Sequence, residues 1–175
     1  MVDVEILYQR GLPPQAVYIF KHSLIQDTAY DSLLKSRKQQ YHQRIAQTLE
    51  KQFTDIAEAQ PQIVAYHYTE AGLAQQAIPY WQKAGQQSVQ RSANVEAINH
   101  LRKGLELLKN LPETPERIQQ ELALQVALGA PLISTRGYGA SEVESAFSRA
   151  WELCQQLGNP PQIFPILVVL GMFYT

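Results

Sequence analysis

Tyr18-Ile-Phe-Lys-His-Ser-Leu-Ile-Gln-Asp-Thr-Ala-Tyr-Asp-Ser-Leu-Leu34 is the stretch on which the fold turns. It opens in β-forming residues, Val17 to Phe20, and passes at once into a helical pattern. Beyond His22, the residues Leu24, Ile25, Thr28, Ala29, Ser32 and Leu33 recur at three- and four-residue spacing and predict one apolar helical stripe. Upstream, Val4, Ile6 and Tyr8 alternate with polar residues, and Gly11-Leu-Pro-Pro14 between the two runs is a turn signal. A short β-hairpin at the edge of a larger module is expected, because two strands alone are marginally stable. The alternative for Glu5 to Arg10 is the end of a helix.

Everything downstream reads as helix. Ser36 is placed to cap a second helix whose stripe is Tyr41, Ile45, Ala46, Leu49 and Phe53. Pro61 suits the first turn of a third helix, Gln62 to Ala71, closed by Gly72. Ala74 to Arg91 reads as one long helix or two, since Pro79 and Gly85 both weaken it. Asn94 is placed to cap the next helix, to Leu111. After Pro112-Glu-Thr-Pro115, Thr114 is the expected cap of a helix reaching about Leu128. Arg136-Gly-Tyr-Gly139 is a loop. Ser141, with Glu144 three residues on, forms a capping-box pattern for Glu142 to Leu157. Gly158-Asn-Pro-Pro161 then breaks the chain before an apolar run, Ile163 to Tyr174. That run is too short for a bilayer span of roughly 20 residues and predicts a buried helix.

One motif recurs along these helices: a small or apolar residue, three residues, a large apolar residue, two residues, a small one. It occurs as Ala77-x3-Trp81-x2-Ala84, Ala97-x3-Leu101-x2-Gly104 and Val143-x3-Phe147-x2-Ala150. Small residues let two helix backbones approach, and the large residue fills the groove between them. The pattern resembles the second helix of a tetratricopeptide repeat. Its spacing of 20 and then 46 residues departs from the consensus of about 34, so the resemblance implies degenerate repeats. The expected fold is all-α: a tetratricopeptide-like helical-repeat array over 36–175, its pattern breaking off at Thr175, after a winged-helix-like end piece over 1–35 that carries the hairpin.

The chain also resembles the region after the nucleotide-binding core of bacterial multidomain signal-transduction ATPases, which are often fused to class III adenylate or guanylate cyclase domains or to protein kinases. The resemblance rests on Phe20-Lys-His-Ser-Leu-Ile-Gln-Asp-Thr-Ala-Tyr30, Leu33-Leu34, His42-x-Arg-Ile-Ala46 and Leu49-Glu50. It continues through Ala65-Tyr-His-Tyr-Thr-Glu-Ala-Gly72, Ala77-Ile-Pro-Tyr-Trp81, Arg91-Ser-Ala93 and Glu96-Ala97. Beyond these come Leu105-Glu-Leu-Leu108, Thr114-Pro-Glu-Arg117, Glu121-Leu122 and Arg136-Gly-Tyr138. The family's phosphate-binding, magnesium-binding and cyclase segments have no counterpart in these residues, so no enzymatic activity is carried over.

The chemistry legible in the residues agrees with a non-catalytic role. There is no Gly-x4-Gly-Lys-Ser/Thr loop and no Gly-x-Gly-x-x-Gly; Gly137-Tyr-Gly139 reads as an interhelix turn. His22, His42, His67 and His100 lack metal-ligand spacing. No cofactor and no metal are expected. Cys154 is the single cysteine, which excludes an internal disulfide and fits a reducing cytosol, and it reads as a structural thiol. The formal net charge of -1 gives no electrostatic footprint for nucleic acid or an anionic membrane. Lys35-Ser-Arg-Lys38, with Arg44, is the one dense basic run, and it sits where cations favour a helix's carbonyl end.

Two groups stand out as sites. Tyr66, Tyr68, Tyr80 and Trp81 form an aromatic cluster, read either as packing between helices or as partner anchors, with His67 and Gln82 as polar company. His22, Asp27 and Tyr30 are the candidates for coupling to a neighbouring domain. The expected function is protein–protein interaction and regulation within a signalling ATPase in the cytoplasm, its partners being other domains or a peptide. An alternative is a DNA-associated regulator using the winged-helix portion. Self-association is expected through Ile166, Leu167, Val169, Leu170, Phe173 and Tyr174.

Overall fold

The computed structural model describes residues 7–12, 16–158 and 163–171, with the side chains of 163–165 and 167 outside that description. Val4, Ile6, Pro13, Pro14, Phe173 and Tyr174 therefore lie outside the described residues, as does the side chain of Leu167. Strands β1 (Leu7–Arg10) and β2 (Val17–Phe20) pair antiparallel, with Leu7 opposite Phe20 and Arg10 opposite Val17. The residues 7–10 are thus a strand, not a helix end. Nine helices follow among the described residues: α1 (Ser23–Asp31), α2 (Lys35–Gln52), α3 (Thr54–Ala59), α4 (Pro61–Glu70), α5 (Ala74–Gln90), α6 (Asn94–Leu108), α7 (Pro115–Arg136), α8 (Ser141–Gln156) and α9 (Ile163–Gly171). Consecutive helices pack on one another from α2 onward.

The three motif copies lie on α5, α6 and α8, and all nine of their positions are buried. Glycines complete the packing. A Cβ on Gly85 of α5 would stand 2.5 Å from Leu101 Cγ of α6, and one on Gly129 of α7 would stand 2.4 Å from Phe147 Cζ of α8. The large motif residue of the later helix therefore rests on the bare backbone of the earlier one in both pairs. Two apolar clusters result. One joins α2 to α5 through Ala46, Val64, Ala65, Tyr68, Ala77 and Trp81. The other runs from α5 to α9 through Ile78, Leu101, Leu124, Phe147, Leu153 and Ile166.

Several sequence expectations need correction. α1 has no buried residue, and Leu24 is 76% exposed. The predicted stripe of α2 splits, with Ala46 buried but Tyr41, Ile45 and Phe53 exposed, because α4 packs on the His42–Ala46 side. Ser36, Asn94 and Ser141 all lie inside their helices, and no side chain caps α2, α6 or α8. Thr114 does cap α7, accepting from the Arg117 amide. α7 runs past Leu128 to Arg136 because burial of Leu128, Pro131 and Leu132 offsets the hydrogen bond that Pro131 cannot make. Ile166 is fully buried and so forms no part of an exposed end face, whereas Val168 is exposed.

Candidate functional site

The junction between the hairpin unit and the helical array is a chain of polar contacts. The Tyr30 hydroxyl of α1 lies 2.9 Å from His42 Nε2 of α2. His42 Nδ1 lies 2.8 Å from His67 Nδ1 of α4. Tyr66 stands edge-on to both imidazoles. Lys38 caps the far side of Tyr30, its Nζ 4.2 Å from the ring centroid, and pairs with Asp31 at 3.3 Å. The one dense basic run thus commits Lys38 to the junction. Burial, and then the neighbouring His42, hold the His67 pKa below the usual histidine value, with Glu70 opposing. Burial and Glu70 push the Tyr66 phenol up.

Of the three coupling candidates, the structure brings Tyr30 into this chain. His22 and Asp27 are both exposed, and no described side-chain contact joins them. His42 and His67 carry the junction; the sequence marked His67 only as polar company of the aromatic cluster and did not join it to His42, because 25 residues separate them and only the packing of α2 on α4 unites them. Among the described residues no cluster of three or more His, Cys, Asp or Glu is arranged to hold a metal ion.

The aromatic cluster divides in the same way. Tyr68 and Trp81 are 3% exposed and belong to the core, so they present no surface to a partner. Tyr68 and Tyr80 both donate to Glu50 of α2, Tyr80 over 2.6 Å. Burial and the bonded carboxylate raise both phenols, which stay protonated at any physiological pH. The Trp81 indole donates to Thr69 Oγ1 over 3.0 Å, stacks on His100 and lies beneath Lys103. Tyr66 remains exposed and Tyr80 half-buried. Packing between helices therefore accounts for two of the four, and the clamp on Glu50 for most of a third.

A surface for a partner lies elsewhere. α5 and α7 flank a groove of about 780 Å³. Gln82, Gln86 and Gln90 line it from α5 and Gln119 from α7, over a floor that includes Leu122 and Val126. Among the described residues no charged side chain lines it. Sequence reading marked only Gln82, because a one-turn ladder of glutamines looks like any solvated helix face until α7 closes the other wall. Cys154 is fully buried and burial raises its thiol pKa, which removes it from nucleophilic chemistry.

No family model matches the chain, and no solved structure matches it. An uncharacterized protein of Rhizobium meliloti (strain 1021) is 30% identical over 168 residues. The match takes in 95% of this chain and 16% of that relative, so the chain spans about a sixth of the relative's length. No described helix is long and apolar enough to cross a membrane.

Proposed function

We propose that this chain is a non-catalytic interaction and coupling segment, with degenerate tetratricopeptide-like repeats, of a multidomain signalling ATPase of the cytoplasm. The groove between α5 and α7 is the observation that carries the reading. Its glutamine amides have no described hydrogen-bond partner within the protein and are free to bond a peptide backbone. Its floor takes small or apolar side chains, and its lack of charge favours neither acidic nor basic partners. The match to a sixth of a far longer relative supports a role as one segment among several. Stacked helix pairs then serve as a scaffold, and a partner in the groove biases the attached machine only by its differential affinity for two states.

The test has two steps. The DNA on either side of this reading frame is sequenced, and an encoded phosphate-binding loop, Gly-x4-Gly-Lys-Ser/Thr, is expected. The ATPase unit so encoded is then titrated into the 175-residue chain by calorimetry. Binding that Ala123→Glu weakens by about tenfold, as an unpaired charge in an apolar floor should, supports the reading. Absence of the loop, or of any binding, sinks it.

A further inference from the structure

The glutamines of the α5–α7 groove stand at a spacing that suits one kind of backbone. Gln82, Gln86 and Gln90 line it at every fourth residue of α5. Four residues of an α-helix rise about 6 Å, and each such step turns the side chain by about 40°. Two residues of an extended chain rise about 6.7 Å. The mismatch is under about 1 Å per step, and a side chain with three rotatable bonds absorbs both it and the turn. From Gln82 to Gln90 the ladder is about 12 Å long, close to the span of five extended residues.

The chemistry of the two ladders is reciprocal. Along an extended chain every second residue presents its N–H and its C=O to the same edge. A glutamine amide carries one carbonyl and two N–H donors. Each therefore accepts from the N–H, and donates to the C=O, of one residue in an extended chain. Among the described residues none of these side-chain amides has a hydrogen-bond partner, and Gln86, Gln90 and Gln119 are exposed. Gln119 offers the same groups from the α7 wall.

Other occupants fit less well. An α-helix bonds its own backbone groups and would leave the ladder without partners. A charged side chain turned onto Leu122, Ala123 and Val126 would lie unpaired, since no charged side chain among the described residues lines the groove. We infer that the groove binds an extended, uncharged peptide segment by its backbone. The glutamine ladder takes one edge of the segment, and alternate small or apolar side chains enter the floor. This rests on the reading of the groove as a partner site and adds the partner's conformation and composition. Because main-chain groups carry the recognition, binding tolerates changes of sequence that keep the segment uncharged.

The probe is the peptide acetyl-Ser-Ala-Thr-Val-Ser-Ala-Thr-amide, blocked at both ends and carrying apolar residues at alternate positions. It is titrated to millimolar concentration into the intact 175-residue chain, and the glutamine side-chain amides are followed by NMR. The signals of Gln82, Gln86 and Gln90 should shift saturably. The triple variant Gln82→Met, Gln86→Met, Gln90→Met keeps the length and helix propensity of the side chains without their amides. It should bind the peptide at least about tenfold more weakly. Absence of a saturable shift overturns the inference. So does a triple variant that binds as tightly as the wild type, because the groove would then be indifferent to the peptide's backbone. The two readings of the groove fail separately. An ATPase unit whose binding Ala123→Glu weakens and the triple variant leaves unchanged keeps the proposed function and overturns the ladder. Ladder-dependent peptide binding by a chain that the ATPase unit does not bind supports the ladder and sinks the proposed function.

Discussion

Gly85 and Gly129 matter for what they lack. In each helix pair the large motif residue occupies the volume that a Cβ would take, Leu101 against Gly85 and Phe147 against Gly129. Gly85→Ala should therefore destabilise the chain by about 1–2 kcal/mol. Overpacking costs about 1–3 kcal/mol, and the better helix propensity of alanine returns up to about 1 kcal/mol. Gly104→Ala is the control: its Cβ would lie 3.1 Å from Leu124 Cδ1, the tip of a flexible side chain, and its stability should change little. Urea titrations of the two variants check this, and equal midpoints would show that Leu101 yields without cost. The motif itself was legible because small–large–small spacing is a property of one helix. The glycine beneath each large residue was not, since the two lie 16 and 18 residues apart on different helices. The histidine pair was hidden for the same reason.

Helix junctions show how one turn is made twice from different residues. After α4, Gly72 has φ 75° and the Leu73 amide donates to the Tyr68 carbonyl. After α5, Ser92 has φ 59° and the Ala93 amide donates to the Ser88 carbonyl. The hydrogen bonds match, yet Ser92 holds a left-handed conformation that costs a residue with a Cβ roughly 1–2 kcal/mol. Ser92→Gly should relieve part of this and raise stability by about 0.5–1 kcal/mol, read as a rise in melting temperature of a few degrees. An unchanged or lower midpoint would mean that the serine makes an offsetting contribution at this turn. The Gly72 stop was legible from composition alone; the helix end at Arg91 was placed within one residue, but the left-handed conformation of Ser92 was not legible. Caps were legible at Thr114, where Pro115 fixes the first helical residue, and misread at Ser36, Asn94 and Ser141, where the helix begins one or two residues earlier and leaves the polar side chain within its first turn.

Across the whole molecule, burial is distributed as a line of neighbours. The described residues of the hairpin and α1 bury no side chain, α2 to α5 share one cluster, and α5 to α9 share the other. α5 is the hinge between them, with Ala77 and Trp81 in the first cluster and Ile78 in the second. In such an array stability is close to a sum of local and nearest-neighbour terms, so damage should stay near its origin. Leu153 of α8 is fully buried among residues of the second cluster. Leu153→Ala should remove about 2–5 kcal/mol of packing. In native-state hydrogen exchange at pH 7.5, α7 to α9 should then lose at least about thirtyfold in protection. The loss should shrink through α6 and α5, and α2 to α4 should change by less than about threefold. Equal loss in every helix would instead make the two clusters one cooperative core. A groove walled by α5 and α7 could then not adjust without the rest of the chain, and a partner bound there would act on the whole molecule at once.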